Sequence, residues 1–232
     1  MLSLLVVVSL GYFLGAIPFG VLVSKKFRGF DLRTKGSGNM GSTNAFRVLG
    51  WRLGLLVQLL DIAKGVAAVL LATYFFNGLP FHNGTPFQDI TVFRFFAGTA
   101  AVIGHCYTIF AGWKGGKGIS TAAGMLIAIA PIEFGVAIGV FLLVVFASGY
   151  ISLASITASI AFPTTMFVRQ NIFGVDITGY HTAIAFAIAI SVFLIYRHRT
   201  NIVRLLAKTE NKFEKLHIFR SKSSRDAALI QS

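Results

Sequence analysis

Residues 53–76 read LGLLVQLLDIAKGVAAVLLATYFF. At 1.5 Å per residue a helix over this stretch is roughly 36 Å long, enough to cross the ~30 Å hydrocarbon core of a bilayer. Only Asp61 and Lys64 carry charge within it. They stand three apart on one helix face, where mutual pairing is the cheapest way to keep both in an apolar span. Similar apolar runs recur near Leu2–Val23, Val92–Ala111, Ile119–Ala130, Ile132–Ala147, Ile151–Val168 and Tyr180–Tyr196. The Ile119 and Ile132 runs are short and flank Pro131, so they form either two short helices or one kinked helix. No run shows the sustained alternation of a membrane barrel strand. The expected fold is an all-α integral membrane protein of about seven transmembrane helices.

The bulk numbers agree. Of 232 residues, 55% are hydrophobic and 12% charged, against roughly 25% charged in a typical soluble domain. Mean hydropathy is +0.75, yet the net charge is +13 and the sequence pI about 10.3. A soluble nucleic-acid binder would be far less apolar, so no nucleic-acid partner is expected. The 23 phenylalanines exclude a disordered polycation. The single cysteine, Cys106, rules out a disulfide framework and any multi-cysteine metal site. No metal or cofactor is expected. Met1–Val23 lacks a basic start and a small-residue cleavage site, so it reads as a retained helix. Residues 1–212 form one membrane domain, followed by a basic tail over 213–232.

The cations fall in three segments. The first connection holds Lys25, Lys26, Arg28, Arg33, Lys35, Arg47 and Arg52; the Trp113 loop holds Lys114 and Lys117; and nine more follow Tyr196. The connections Asn77–Thr91 and Arg169–Gly179 contain only Arg169. With seven spans all three basic segments lie on one side. The positive-inside rule makes that side cytoplasmic, with the N-terminus outside and the C-terminus inside.

Within those segments lie three polar clusters. KGSGNMGSTNAFR, Lys35–Arg47, sets Gly36, Gly38 and Gly41 among Ser37, Asn39, Ser42, Thr43 and Asn44. Glycines let backbone N–H groups converge on an anion, hydroxyls and amides add neutral donors, and Arg47 offers a bidentate fork. The G-x-G-x-x-G match is not a dinucleotide fingerprint, because no strand precedes it and Asp61 lies inside an apolar span. WKGGKGIST, Trp113–Thr121, places Lys114 and Lys117 around Gly115, Gly116 and Gly118 before a helix, a second anion site. It is not a Walker loop, which needs glycine at Ala111 and Ser or Thr at Gly118. RHRTNIVRLLAKTENK, Arg197–Lys212, puts His198 and Asn201 on one helix face at the membrane edge. Ser152 opens the sixth span within reach of the same side, and Gly11 and Gly15 form a GxxxG packing pair. His105 is read as a helix-to-helix hydrogen-bonding group. Each cluster alone also fits a solvated loop or a basic headgroup-binding segment. No His-x-x-x-x-Asp occurs, so the usual base of thioester-dependent glycerolipid acyltransferases is missing.

Together GSGNMGSTNAFR (Gly36–Arg47), DIAKG (Asp61–Gly65), GHCYTIFAGWKGGKGIST (Gly104–Thr121) and RHRTNIVRLLAKTENK resemble the bacterial acyl-phosphate:glycerol-3-phosphate acyltransferase family, the PlsY type. The resemblance runs from Gly15 to Lys212. The sequence departs at Thr108, where the family usually has proline, and at Lys208, where it has glycine. The resemblance implies seven helices and transfer of a fatty acyl group from acyl phosphate to the 1-hydroxyl of glycerol 3-phosphate. The products are lysophosphatidic acid and inorganic phosphate. It further implies that the donor phosphate takes the hydroxyl proton, which suits a loop region with many donors and no obvious carboxylate base, Asp31 being the only acid in the first loop. The expected catalytic residues are Ser37, Arg47, Lys114, Ser152, His198 and Asn201. Gly38, Asn39, Gly41, Thr43, Asn44, Gly115, Gly116, Lys117 and Gly118 are expected to bind substrate phosphate. The expected setting is the bacterial inner membrane, with the site at its cytoplasmic face. Membrane lipids and the soluble enzyme that makes acyl phosphate are the expected neighbours. The competing readings are a transporter of phosphorylated solutes and a thioester-dependent membrane acyltransferase.

Overall fold

A computed structural model describes residues 2–78 and 90–213 of the chain, and all regular structure among them is helical. The helices are α1 (Leu2–Ala16), α2 (Phe19–Arg28), α3 (Ser42–Leu49), α4 (Trp51–Gly78), α5 (Ile90–Cys106), α6 (Ile119–Ile129), α7 (Pro131–Ser148), α8 (Ile151–Asn171), α9 (Tyr180–Arg197) and α10 (Arg199–Leu206). Single 3₁₀ turns lie at Leu32–Thr34 and Ile109–Ala111. Six segments are long and apolar enough to cross a membrane: Leu4–Arg28, Trp51–Phe75, Ile90–Ala111, Pro131–Ser148, Ile151–Asn171 and Tyr180–Arg197. The remaining apolar helix, α6, has 11 residues. The expected tail over 213–232 lies outside the described residues except for Phe213, as does most of the Asn77–Thr91 connection.

Prolines decide two breaks. The run expected as one span from Leu2 divides at Pro18 into α1 and α2, because proline lacks the N–H that would continue the ladder. In a membrane the carbonyls freed by such a break need donors. Lys64 Nζ donates to the Ile17 carbonyl at 3.0 Å, and the Thr108 hydroxyl donates to the Ala16 carbonyl. Thr108 has φ −74°, which proline could also adopt, but proline has no hydroxyl to offer. The second break separates α6 from α7. Ala130 leaves the helical region, at φ −141° and ψ 69°, before Pro131, which starts α7, so the Ile119 and Ile132 runs are two helices.

Small residues bring the helices together. A Cβ on Gly15 would lie 2.0 Å from the Ala101 carbonyl oxygen, and one on Gly124 2.0 Å from that of Ile62. These contacts press α1 onto α5 and α6 onto α4. The central core includes Phe95, Val102, Cys106, Met125, Phe162 and Ile190. α7 and α8 form a hairpin; Arg169, near the end of α8, pairs with Glu133 in the first turn of α7. That pair marks the end of the bundle far from Gly149. At ~1.5 Å per residue α6 is about 10 Å shorter than α7. The loop leading into α6 therefore begins inside the length of the bundle, and Gly116 and Gly118 are buried.

Candidate functional site

The first loop folds around one side chain. Asn44 Oδ1 accepts from the Ser37 backbone N–H at 2.9 Å, while Nδ2 donates to the carbonyls of Asn39, Lys35 and Leu32 at 2.8, 3.1 and 3.3 Å. Buried and fully engaged, Asn44 shapes the loop rather than offering its amide outward. Asn39 is likewise used, accepting from the Gly41 N–H at 2.8 Å. Gly36 and Gly38 have φ of +60° and +72°, a region that glycine enters without strain. The Arg33 guanidinium beside Asp31 holds that carboxyl down at about 2. Arg33 also donates to the Ala111 carbonyl at 2.6 Å, latching the first loop to the second.

The loop ends in α3, which carries Thr43 in its first turn and Arg47 in its last. Ser42 and Ser120 lie within hydrogen-bond distance at 3.1 Å, and Ser120 donates to Gln58 at 3.1 Å. This chain ties α3 to the start of α6 and to α4. Ser37 is exposed, with its backbone N–H engaged.

The second loop, Trp113–Gly118, folds back on the end of α5. Gly115 and Gly116 N–H groups donate to the Cys106 and His105 carbonyls at 3.2 and 3.0 Å. Arg197 donates to the Gly116 carbonyl at 2.8 Å. Gly118 turns into α6 with φ +89°. Lys114 is exposed, with no side-chain hydrogen bond among the described residues. Lys117 reaches inward and donates to Asn201 Oδ1. Burial pushes the Lys117 ammonium down to about 8; Glu210 opposes this, and Arg204, Arg47 and Arg197 add to it. Those influences put the four cations and the carboxylate in one neighbourhood.

Glu210 is the residue the sequence reading missed. Its Oε1 accepts from Asn201 Nδ2 at 2.6 Å and Ser152 Oγ at 2.9 Å, and its Oε2 accepts from Arg204 Nε at 2.7 Å. Burial raises the carboxyl, but the bonds from Arg204, Asn201 and Ser152 prevail and hold it below its ordinary value. A signal was available: Glu210 is the sole acid in Arg197–Lys212. His198 sits at the junction of α9 and α10, its Nδ1 2.8 Å from the Leu194 carbonyl. Burial and the nearby Lys117 charge push this imidazole down to about 4. Arg47 stacks over Phe213, with its guanidinium carbon 5.0 Å from the ring centroid.

The structure thus gathers Arg47, Lys117, Ser152, His198 and Asn201 and adds Arg204, Arg197 and Glu210. Asp61 and Lys64 pair with each other at 2.8 Å, as their spacing implied. Cys106 is fully buried in the core.

A helical membrane bundle with cations and neutral donors converging on Glu210 at one end defines an integral membrane protein with a polar, cationic cluster. The sequence signature of the family described as glycerol-3-phosphate acyltransferase matches residues 5–208. The chain is 46% identical to a glycerol-3-phosphate acyltransferase of Chlorobium phaeobacteroides (strain DSM 266), over 92% of this chain and 98% of that one. It is 45% identical to one from Chlorobaculum tepidum, over 91% and 97%. Among solved structures it is similar to PlsY, an integral membrane glycerol 3-phosphate acyltransferase, in its glycerol 3-phosphate form. The TM-score is 0.76 at 38% identity, covering 91% of this chain and 96% of that one. The lysophosphatidic acid form of PlsY matches with the same TM-score at 37% identity, over 93% and 98%. The chain belongs to the glycerol-3-phosphate acyltransferase family and is a membrane acyltransferase, which removes the transporter reading.

Proposed function

We propose that this chain transfers a fatty acyl group from acyl phosphate to the 1-hydroxyl of glycerol 3-phosphate. The products are lysophosphatidic acid and inorganic phosphate. The observation that carries the reading is the convergence of Ser152, Asn201 and Arg204 on one carboxylate, with Lys117 bound to Asn201 beside it. Donors that satisfy a carboxylate also suit phosphate oxygens. Arg47, Lys114 and Lys117 hold phosphate charge. Ser37, Thr43, Ser152, His198 and Asn201 orient the two substrates. Gly38 and Gly41 let the first loop's backbone approach, with Asn39 and Asn44 fixing that loop, while Gly115, Gly116 and Gly118 shape the second loop that carries Lys117.

The attacking hydroxyl oxygen bonds to the acyl carbon. The bond from that carbon to the phosphate oxygen breaks, and the leaving phosphate takes the hydroxyl proton. The donor is already activated, so no enzyme nucleophile is required. The site stands at the cytoplasmic face of a bacterial inner membrane. Support comes from the basic segments meeting at one end of the bundle while Arg169 lies at the other. Because α2 leads into the site from α1, the N-terminus is then outside. Acyl phosphate enters from the lipid phase or from the soluble enzyme that makes it.

The test gives purified protein labelled glycerol 3-phosphate with acyl phosphate, acyl-CoA or acyl-carrier-protein thioester. Product from acyl phosphate is expected. Product from thioesters alone overturns the proposed donor.

A further inference from the structure

Three ionisable side chains lie inside the bundle, away from the converging donors. Asp61, Lys64 and His105 are 1%, 3% and 2% exposed. Burying such groups between membrane helices is costly, so each one needs an account. Lys64 has one: it bridges Asp61 and the Ile17 carbonyl freed by Pro18. Asp61 balances Lys64 and stands 3.4 Å from His105 Nδ1. Lys64 already balances the carboxylate's charge, and neither Asp61 oxygen makes a hydrogen bond to the imidazole, so the ion pair does not account for the ring.

The other side of the His105 ring supplies the reason. A Cβ built on Gly116 would lie 2.0 Å from His105 Nε2, and one on Gly115 2.0 Å from the His105 carbonyl oxygen. The ring therefore lies directly against the second loop. Gly116 is held on three sides: its N–H by the His105 carbonyl at 3.0 Å, its C=O by Arg197 at 2.8 Å, and its α-carbon by the imidazole. The next residue is Lys117, which enters the donor cluster.

We propose that His105, packed beside Asp61, is a positioning residue: its imidazole is the floor on which Gly115–Gly116–Lys117 rests, so the buried Asp61–Lys64–His105 cluster sets where the loop meets substrate phosphate. His105 touches no substrate in this arrangement and acts through the loop. Proline at Pro18, the ion pair in α4, the ring on α5 and the phosphate-facing loop become one mechanical stack. The inference rests on reading Trp113–Gly118 as a phosphate-binding loop.

The test exploits the contact itself. His105→Ala, Gly116→Ala and the double variant are purified, and kcat and KM are measured for both phosphate substrates. Each single change displaces the loop. Each is expected to raise KM for at least one substrate by roughly tenfold or more, with a smaller change in kcat, since displacements of about 1 Å carry penalties of that order. In the double variant the methyl group added at position 116 enters the space the ring has left. Its KM is expected to be clearly lower than the product of the two single effects, and at or below that of Gly116→Ala. A general loss of folding cannot produce such rescue. Independent effects that multiply, or a His105→Ala enzyme with both KM values unchanged, overturn the proposal. If His105→Ala does not accumulate in membranes, His105→Asn makes similar room while keeping a polar group beside Asp61, and the same criteria apply. Lys117→Met serves as the separate control. If it leaves both KM values unchanged, the phosphate-loop reading fails by itself, whatever the His105 pair does.

Discussion

Ser152 Oγ donates to Glu210 Oε1 at 2.9 Å, and this bond joins the first turn of α8 to the segment that follows α10. The same oxygen accepts from Asn201, while Arg204 takes the other. Three groups from two distant parts of the sequence are thus fixed by a single carboxylate. Glutamine at 210 keeps the shape but turns one acceptor into a donor facing Arg204 or Asn201. Glu210→Gln is therefore expected to destabilise the protein by about 2 kcal/mol. The Arg204 side chain is 40% exposed, which limits the charge contribution. A Tm lowered by several degrees in detergent, together with a raised KM, checks this. An unchanged Tm contradicts it.

Lys117 gives a pH dependence with a definite sign. Burial lowers its ammonium to about 8. A phosphate ligand needs the charged form, which is lost as pH rises through that value. The profile of kcat/KM for the phosphate substrate bound there is expected to fall above pH 8, since kcat/KM reports the free enzyme. Lys117→Arg keeps its charge throughout this range, so the alkaline limb should disappear even if the rate at pH 7 drops. A limb that persists in Lys117→Arg assigns it to another group.

The apolar runs predicted the membrane fold because a lipid-facing helix has no polar side to hide, as in 53–76. Pairing of Asp61 with Lys64 was legible from a spacing of three residues. Breaks were less legible. Pro18 sits in an apolar run that hydropathy alone reads as continuous, and its consequence, the donors from Lys64 and Thr108, depends on residues far along the chain. The site divided in the same way. Lys117 and Asn201 could be nominated from composition, but their mutual bond spans 84 positions. Asn44 read as a phosphate donor because amides are common in such loops. Only the fold shows its four bonds to the loop backbone. In the sequence Glu210 is one acid among cations, and only the fold shows that Ser152 and Asn201 face it.

Lys208 stands at φ +57° just beyond α10. Its N–H donates to Leu205 at 3.1 Å and that of Thr209 to Arg204 at 2.8 Å, the two bonds of a Schellman ending. A left-handed residue with a side chain costs about 1 kcal/mol relative to glycine there. Lys208→Gly is expected to raise stability by about that amount, with kcat and KM little changed because the Lys208 side chain is exposed. Lys208→Val, β-branched, should do the reverse. A thermal melt of the three proteins in one detergent orders them.

His198 predicts where acid weakens the fold. Its ordinary pKa is 6.5, and burial together with the Lys117 charge lowers it to about 4 in the folded chain. Between those values the unfolded chain binds a proton that the folded chain does not. Stability therefore rises with pH across this window and is lost as pH falls from 6.5 toward 4. The full difference corresponds to about 3 kcal/mol at most. Glu210, held below its ordinary value, adds a loss only at lower pH, so the interval from 6.5 to 5 is free of its contribution. Tm is expected to decline through that interval in the wild type. In His198→Gln, which keeps an amide in place of the ring, the decline should be clearly shallower, and the difference between the two profiles is the His198 share. A parallel decline in both proteins would remove His198 as the cause.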